Sequence, residues 1–240
     1  MKVIVIIQAR MASSRLPGKI LKSLGNVDVL TYGIERCRVI HGVDEVIVAT
    51  SELAQDDAIA NWCQNQYVAY FRGSEEDVLD RFVQCAKMFK PDFVIRVTSD
   101  CPFVDYEMAS EIVELMKKDP SDIVIIDGHL PRGLAVEMLS YEALLRIHEL
   151  GKEPRHREHV TYYAYEYAEQ FKAITYKAPK DRQAPEFRIT LDTKEDYDLI
   201  SAVAKHFKSP LISSAEVIRY LQEKPKVAIL NAHIEQKPVI

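Results

Sequence analysis

The sequence has no hydrophobic run long enough to cross a membrane, no closely spaced cysteine pair, and neither of the two best-known glycine-rich phosphate loops. Each absence excludes something. The apolar run Val3 to Ile7 is short and breaks into a charged loop, so it fits neither a signal peptide nor a span, and a cytoplasmic protein with no membrane partner is expected. Cys37, Cys63, Cys85 and Cys101 stand far apart, which signals neither a zinc site nor a disulfide framework and suits free thiols. The chain lacks G-x-x-x-x-G-K-[ST] and G-x-G-x-x-G, so a phosphate-binding role needs another construction. There is also no basic excess: a net charge of −5 argues against nucleic acid, because the phosphate backbone rewards a basic face.

Short β-branched runs alternate with helical patterns. Val3–Ile7, Val46–Ala49, Val68–Phe71, Phe93–Val97 and Ile123–Ile126 read as strands, with helices near 29–40, 54–65, 76–88 and 105–117. This rhythm predicts one α/β domain over 1–240: a three-layer α/β/α, Rossmann-like architecture with a mostly parallel sheet. From about 128 to 185 the rhythm changes, and an inserted arm is expected there. Phe187 to Leu191 then reads as a strand returning to the sheet, followed by a helix from Glu195 to Phe207 and another from Ala215 to Glu223.

Ligands of such sheets bind outside the carboxyl ends of the strands. The first such place is Gln8-Ala9-Arg10-Met11-Ala12-Ser13-Ser14-Arg15-Leu16-Pro17-Gly18-Lys19. Its small residues let backbone amides approach a ligand, while Arg10, Arg15 and Lys19 add charge, a combination suited to a polyphosphate. Two similar phrases, Arg96-Val97-Thr98-Ser99-Asp100 and Arg188-Ile189-Thr190-Leu191-Asp192, each deliver an aspartate four residues after an arginine. If both strands neighbour the first, Asp100 and Asp192 reach the cationic loop and could hold Mg²⁺ against phosphate oxygens. The plainer alternative is that Asp192 caps the following helix, with Glu195 at the third position. The two arginines read equally as structural partners of nearby carboxylates or as phosphate contacts.

Five motifs resemble one family: Q-A-R-M-x-S-x-R-L-P-G-K from Gln8, G-S-E-E-D-V-L-D-R from Gly73, R-V-T-S-D-C-P from Arg96, R-E-H-V-T from Arg157 and R-I-T-L-D-T-x-E-D from Arg188. They resemble the SpsF-type spore-coat polysaccharide proteins of the cytidylyltransferase superfamily, which includes the CMP-sialic acid and CMP-Kdo synthetases. The resemblance implies a nucleotide-diphospho-sugar transferase type of sheet and Mg²⁺-dependent transfer of CMP from CTP to a sugar-like acceptor, with pyrophosphate leaving. It implies a nucleotide site of Gln8, Ala9, Arg10, Ser14, Arg15, Lys19, Ser74 and Asp100, with Arg10, Arg15 and Lys19 acting on the triphosphate and Asp100 and Asp192 on the metal. Ala12 stands where the sialic- and Kdo-type enzymes usually carry glycine, a departure in the same loop.

For the acceptor, Arg132, Glu137, Arg157 and His159 are the candidates. Arg132-Gly133-Leu134-Ala135-Val136-Glu137 looks like the superfamily's sugar-facing strand, and the Arg/His cluster at 155–159 suits an anionic substrate, His159 being able to exchange protons near neutrality. A zinc reading of His156 and His159 lacks a third ligand. The run Tyr162, Tyr163, Tyr165, Tyr167 reads as packing, at the seam of a homodimer built on the arm. Two other functions compete. A GT-A-like glycosyltransferase needs a strand-end D-x-D, yet Asp196-Tyr197-Asp198 falls within a predicted helix. A nucleotide-binding protein without chemistry is argued against by the intact cations and aspartates.

Overall fold

Strand β1, Val3–Gln8, shows why the sheet must be covered on both faces. Val3, Val5 and Ile7 enter one hydrophobic core while Ile4 and Ile6 enter a second, all of them essentially inaccessible to water. A strand's side chains alternate, so an unbroken apolar run demands apolar partners on both sides. The computed structural model describes residues 1–13 and 15–235.

After β1 the chain makes a small antiparallel pair, β2 (Ser23–Leu24) and β3 (Val27–Asp28), then helix α1 (Val29–Arg38). Strand β4 (Glu45–Ser51), helix α2 (Asp57–Asn65), strand β5 (Ala69–Gly73) and helix α3 (Val78–Phe89) follow. Next come β6 (Phe93–Thr98), α4 (Tyr106–Lys118) and β7 (Ile123–Asp127). Then β8 (Glu137–Ser140), α5 (Tyr141–Leu150), α6 (Pro154–Glu158), α7 (Tyr162–Glu166) and β9 (Ala173–Lys177) complete the sheet. Helices α8 (Lys194–Phe207), α9 (Ser214–Glu223) and α10 (Pro225–Ala228) close the described chain.

The sheet runs β5-β4-β1-β6-β8-β7-β9, with β8 antiparallel to both its neighbours and the other pairs parallel. One core joins α1, α2, α4, α8 and α9 to one face, through residues such as Ile34, Ile59, Ile112, Leu199 and Val217. The other joins α3, α5 and α7 to the opposite face, through Phe82, Leu144 and Ala164. The three-layer, mostly parallel architecture expected of the sequence is therefore present. Since β4 lies on one side of β1 and β6 on the other, chain direction across the sheet reverses there, which opens a crevice at their carboxyl ends. No helix among the described residues is long and apolar enough to cross a membrane.

Two sequence expectations need correction. The stretch from about 128 to 185 is not set apart as an arm: it supplies β8 and β9 to the sheet, and α5 and α7 cover a face of it. Its altered rhythm comes from β8 running antiparallel and from short helices. Phe187 to Leu191 forms no sheet strand either. It is an extended segment whose Arg188 makes an isolated parallel bridge to Arg132, while the Leu191 amide donates to the Asp100 carbonyl at 2.7 Å. The helix cap after it is Thr193, in a reciprocal box with Asp196, so Asp192 is released from capping.

Candidate active site

A cleft of about 880 Å³ opens at the carboxyl ends of β1 and β6. One wall comes from the loop after β1, the floor from 96–101, and the far wall from 128–137 and from Glu158 to Tyr165. Gln8, Arg10, Arg15, Lys19, Asp100 and Asp192 line one half, and Arg132, Glu137 and His159 line the other. Most of the residues singled out in the sequence thus share one concavity.

Lys19 is the centre of the first half. Its ammonium donates to Asp100 Oδ2 and Asp192 Oδ1, each at 2.9 Å, and to the Leu191 carbonyl at 2.7 Å, which uses all three of its protons. Burial pulls its pKa down, but the two carboxylates outweigh burial and hold it above its ordinary value. Burial likewise pushes the Asp192 carboxyl up, and Lys19, Arg15 and Arg188 together overcome that and hold it below the usual carboxylate range. Arg15 reaches Asp192 Oδ2 at 3.2 Å, and Arg188 reaches the same oxygen at 2.8 Å. Arg10 spans the cleft to Glu158 Oε1 at 2.9 Å, with Glu75 at 3.7 Å.

The loop's backbone is more committed than its small residues suggest. The Ala9 amide donates to the Ala49 carbonyl as a continuation of the sheet, and the Met11 amide to Asp56 Oδ1. Ala9 is buried and does not line the cleft, so its expected approach to a ligand is corrected. Arg10, Ala12, Ser13 and Arg15 all line the cleft. Ser14 lies outside the described residues.

In the second half, Arg96 on β6 and Glu137 on β8 are register partners, and their side chains meet at 2.8 Å. Thr161 donates to the same Glu137 oxygen at 2.6 Å. Both phrase arginines therefore pair structurally, Arg96 with Glu137 and Arg188 with Asp192 and Asp196. Arg132 is exposed on the rim and makes no ion pair among the described residues. The His159 pKa is lowered, first by burial and then by the Arg96 guanidinium, so the ring is neutral at pH 7.

Two predicted residues lie elsewhere. Arg157 turns from the cleft to Asp77, the α3 cap, and to the carbonyls of His148 and Gly151. Arg157 belongs to the last turn of α6, whereas His159 is its C-cap with non-helical backbone, and the two side chains part there. Ser74 is folded into its own turn, where its hydroxyl accepts from the Asp77 amide and its carbonyl from Arg81. Residues not foreseen are Glu158, Thr161, Tyr162 and Tyr165, all lining the cleft. Tyr163, by contrast, sits in the core as packing predicts. His156 pairs with Glu166 at 2.7 Å, and no cluster of three potential metal ligands occurs among the described residues. Asp196 is fully buried and Asp198 is bound by Lys194, both on α8, so the D-x-D tripeptide offers no glycosyltransferase metal site.

A family model described as cytidylyltransferase matches residues 4–235. The chain is 36% identical over 232 residues to the spore coat polysaccharide biosynthesis protein SpsF of Bacillus subtilis, covering 94% of this chain and 96% of that protein. It is 35% identical to an uncharacterised protein of Methanocaldococcus jannaschii over 99% of this chain and 97% of that one. Among solved structures it superimposes on a cytidylyltransferase from Leptospira borgpetersenii with a TM-score of 0.89 at 29% identity, covering 99% of this chain and all of that one. A CMP-2-keto-3-deoxy-manno-octonic acid synthetase complexed with CTP shares the fold at a TM-score of 0.65 and 18% identity, over 86% of this chain and all of that one.

Proposed function

The chain belongs to the cytidylyltransferase family, and on that footing we propose that it transfers CMP from CTP to a hydroxyl of a sugar or sugar acid, releasing pyrophosphate, in surface-polysaccharide biosynthesis. The observation that carries this reading is the junction of Lys19 with Asp100 and Asp192, flanked by Arg10 and Arg15, at the edge of one cleft.

Transfer forms a bond from the acceptor oxygen to the α-phosphorus and breaks the bond from that phosphorus to the oxygen bridging to the β-phosphate. Such a reaction needs positioning and charge neutralisation more than covalent help. Arg10, Arg15 and Lys19 supply that charge on the triphosphate side. All three are held by carboxylates before nucleotide arrives, which keeps them in place at the cost of a partner exchange on binding. Arg132 and Glu137 face the acceptor, and neutral His159 is able to accept the proton that the acceptor hydroxyl loses.

Mg²⁺ fits the donor set. Asp100 and Asp192 are hard oxygen donors beside the phosphate cations, and the Asp100 side chain keeps 28% of its surface exposed while Lys19 occupies only one of its oxygens. Asp192 is the more enclosed, both of its oxygens already accepting from cations. The ion would neutralise phosphate charge and steer the leaving pyrophosphate.

Calorimetric titration with CTP, UTP, GTP and ATP, with and without Mg²⁺, tests the proposal on wild type and Asp100→Asn. Tight, metal-dependent binding of CTP alone, weakened in the variant, is expected and justifies an acceptor screen by pyrophosphate release. Binding without metal dependence would leave a nucleotide-binding protein without this chemistry, and no nucleotide binding would overturn the proposal.

A further inference from the structure

Asn231 lies just beyond α10, in a stretch whose sequence points to no chemistry, yet only 2% of its surface is exposed. Its carboxamide nitrogen donates to the Arg188 carbonyl at 2.9 Å and to Asp196 Oδ1 at 2.7 Å. Both partners are oxygens accepting from the amide nitrogen, so both of its protons are used.

Asp196 is a fully buried carboxylate at the first turn of α8. Besides Asn231 it accepts from Arg188 Nε at 2.9 Å and Nη2 at 3.3 Å, from the Asp192 amide at 2.9 Å and from the Thr193 amide at 3.0 Å. Arg188 in turn donates to Asp192 Oδ2, and the other oxygen of Asp192 receives Lys19. A hydrogen-bonded path therefore runs from Asn231 through Asp196 and Arg188 to the aspartate on the triphosphate side of the cleft. The second bond of Asn231 holds the backbone of the 187–191 segment, which has no sheet strand to fix it and which docks on both Arg132 and Asp100.

We propose that Asn231 is a positioning residue for nucleotide binding: it fixes the Asp196–Arg188 pair, and thereby the Asp192 carboxylate opposite Lys19 and Arg15. This rests on the cytidylyltransferase reading. A charge network inside a protein is costly when partly satisfied, so losing one of the donors to Asp196 lets the carboxylate and its arginine reorganise around the remaining bonds. The displacement is passed to Asp192, and in a site that works by positioning a misplacement of about 1 Å can cost on the order of a hundredfold in rate.

The test uses the full chain, with Asn231→Ala and with Asn231→Ser, which keeps one donor. Leu221→Ala, a buried aliphatic side chain of α9 with no polar contact to the network, controls for general loss of stability. Affinity for Mg²⁺ with CTP and for CMP is measured by calorimetry on each. CMP lacks the β- and γ-phosphates, so it does not probe the Lys19 and Arg15 end. Asn231→Ala is expected to weaken CTP by about tenfold or more while leaving CMP unchanged, Asn231→Ser to fall between it and wild type, and Leu221→Ala to lower the melting temperature without this split. If Asn231→Ala does not fold, the split is read from Asn231→Ser. Equal losses for CTP and CMP, or no loss for either, overturn the proposal. Wild type that binds no nucleoside triphosphate overturns the reading beneath it instead.

Discussion

Arg10 and Glu158 stand 148 residues apart in sequence and meet at 2.9 Å across the cleft, joining the loop after β1 to the last residue of α6. Both side chains keep more than a third of their surface exposed, so the pair is weak and easily exchanged. A triphosphate that takes Arg10 leaves Glu158 beside another anion, and the contact therefore opposes nucleotide binding until it opens.

Glu158→Gln is expected to tighten CTP binding by up to about fivefold, since an exposed ion pair contributes about 0.2–1 kcal/mol. Calorimetry at low and high salt checks this. The gain should shrink as salt screens the pair, and equal affinity at low salt would refute a competing role for Glu158.

His159 links the cleft to pH. Because burial and then Arg96 lower its folded pKa, protons bind the unfolded chain first. Its contribution to stability is fully present above its unfolded value of about 6.5 and is lost as pH falls through the lower folded value. Urea unfolding at about pH 7.5 and about pH 5 should show a smaller difference for His159→Gln than for wild type. An unchanged difference would place the acid sensitivity elsewhere.

Gly133 follows Arg132 on the far wall of the cleft, with φ at +98°. A Cβ there would come to 2.9 Å from the Thr190 amide nitrogen and 3.1 Å from the Ile189 carbonyl carbon, backbone atoms that cannot simply rotate aside. Gly133→Ala is expected to cost about 1–3 kcal/mol of stability through strain, and to displace the 187–191 segment. Thermal or urea denaturation gives the first number. A melting temperature equal to wild type would mean the loop relaxes freely.

The motifs that resemble a family and the residues that build the cleft overlap well, but the match fails in an instructive way inside R-E-H-V-T. Spacing along the chain puts Arg157, Glu158 and His159 together, whereas the turn at the end of α6 sends Arg157 to Asp77 and leaves the other two on the cleft. Small residues in the first loop predict room for a ligand against the backbone, yet the Ala9 amide serves the sheet. Tyrosines spaced through 162–167 read uniformly as packing, and the structure divides them, with Tyr163 in the core and Tyr162 and Tyr165 on the cleft.

By itself the sequence determined the alternation of strands and helices, the cationic loop at the end of β1, and the aspartates at 100 and 192. Each of these is written in neighbouring residues: apolar periodicity, charge density in a turn, a repeated phrase. Only the tertiary structure decided that residues 128–185 belong to the sheet, that Lys19 lies between the two aspartates, that Glu158 faces Arg10, and that Asn231 reaches Asp196. The physical reason is range. A β-pattern is a local property of side-chain alternation, but which buried donor meets which buried carboxylate depends on how whole layers pack, and separations of 81, 148 and 173 residues leave no trace in local spacing.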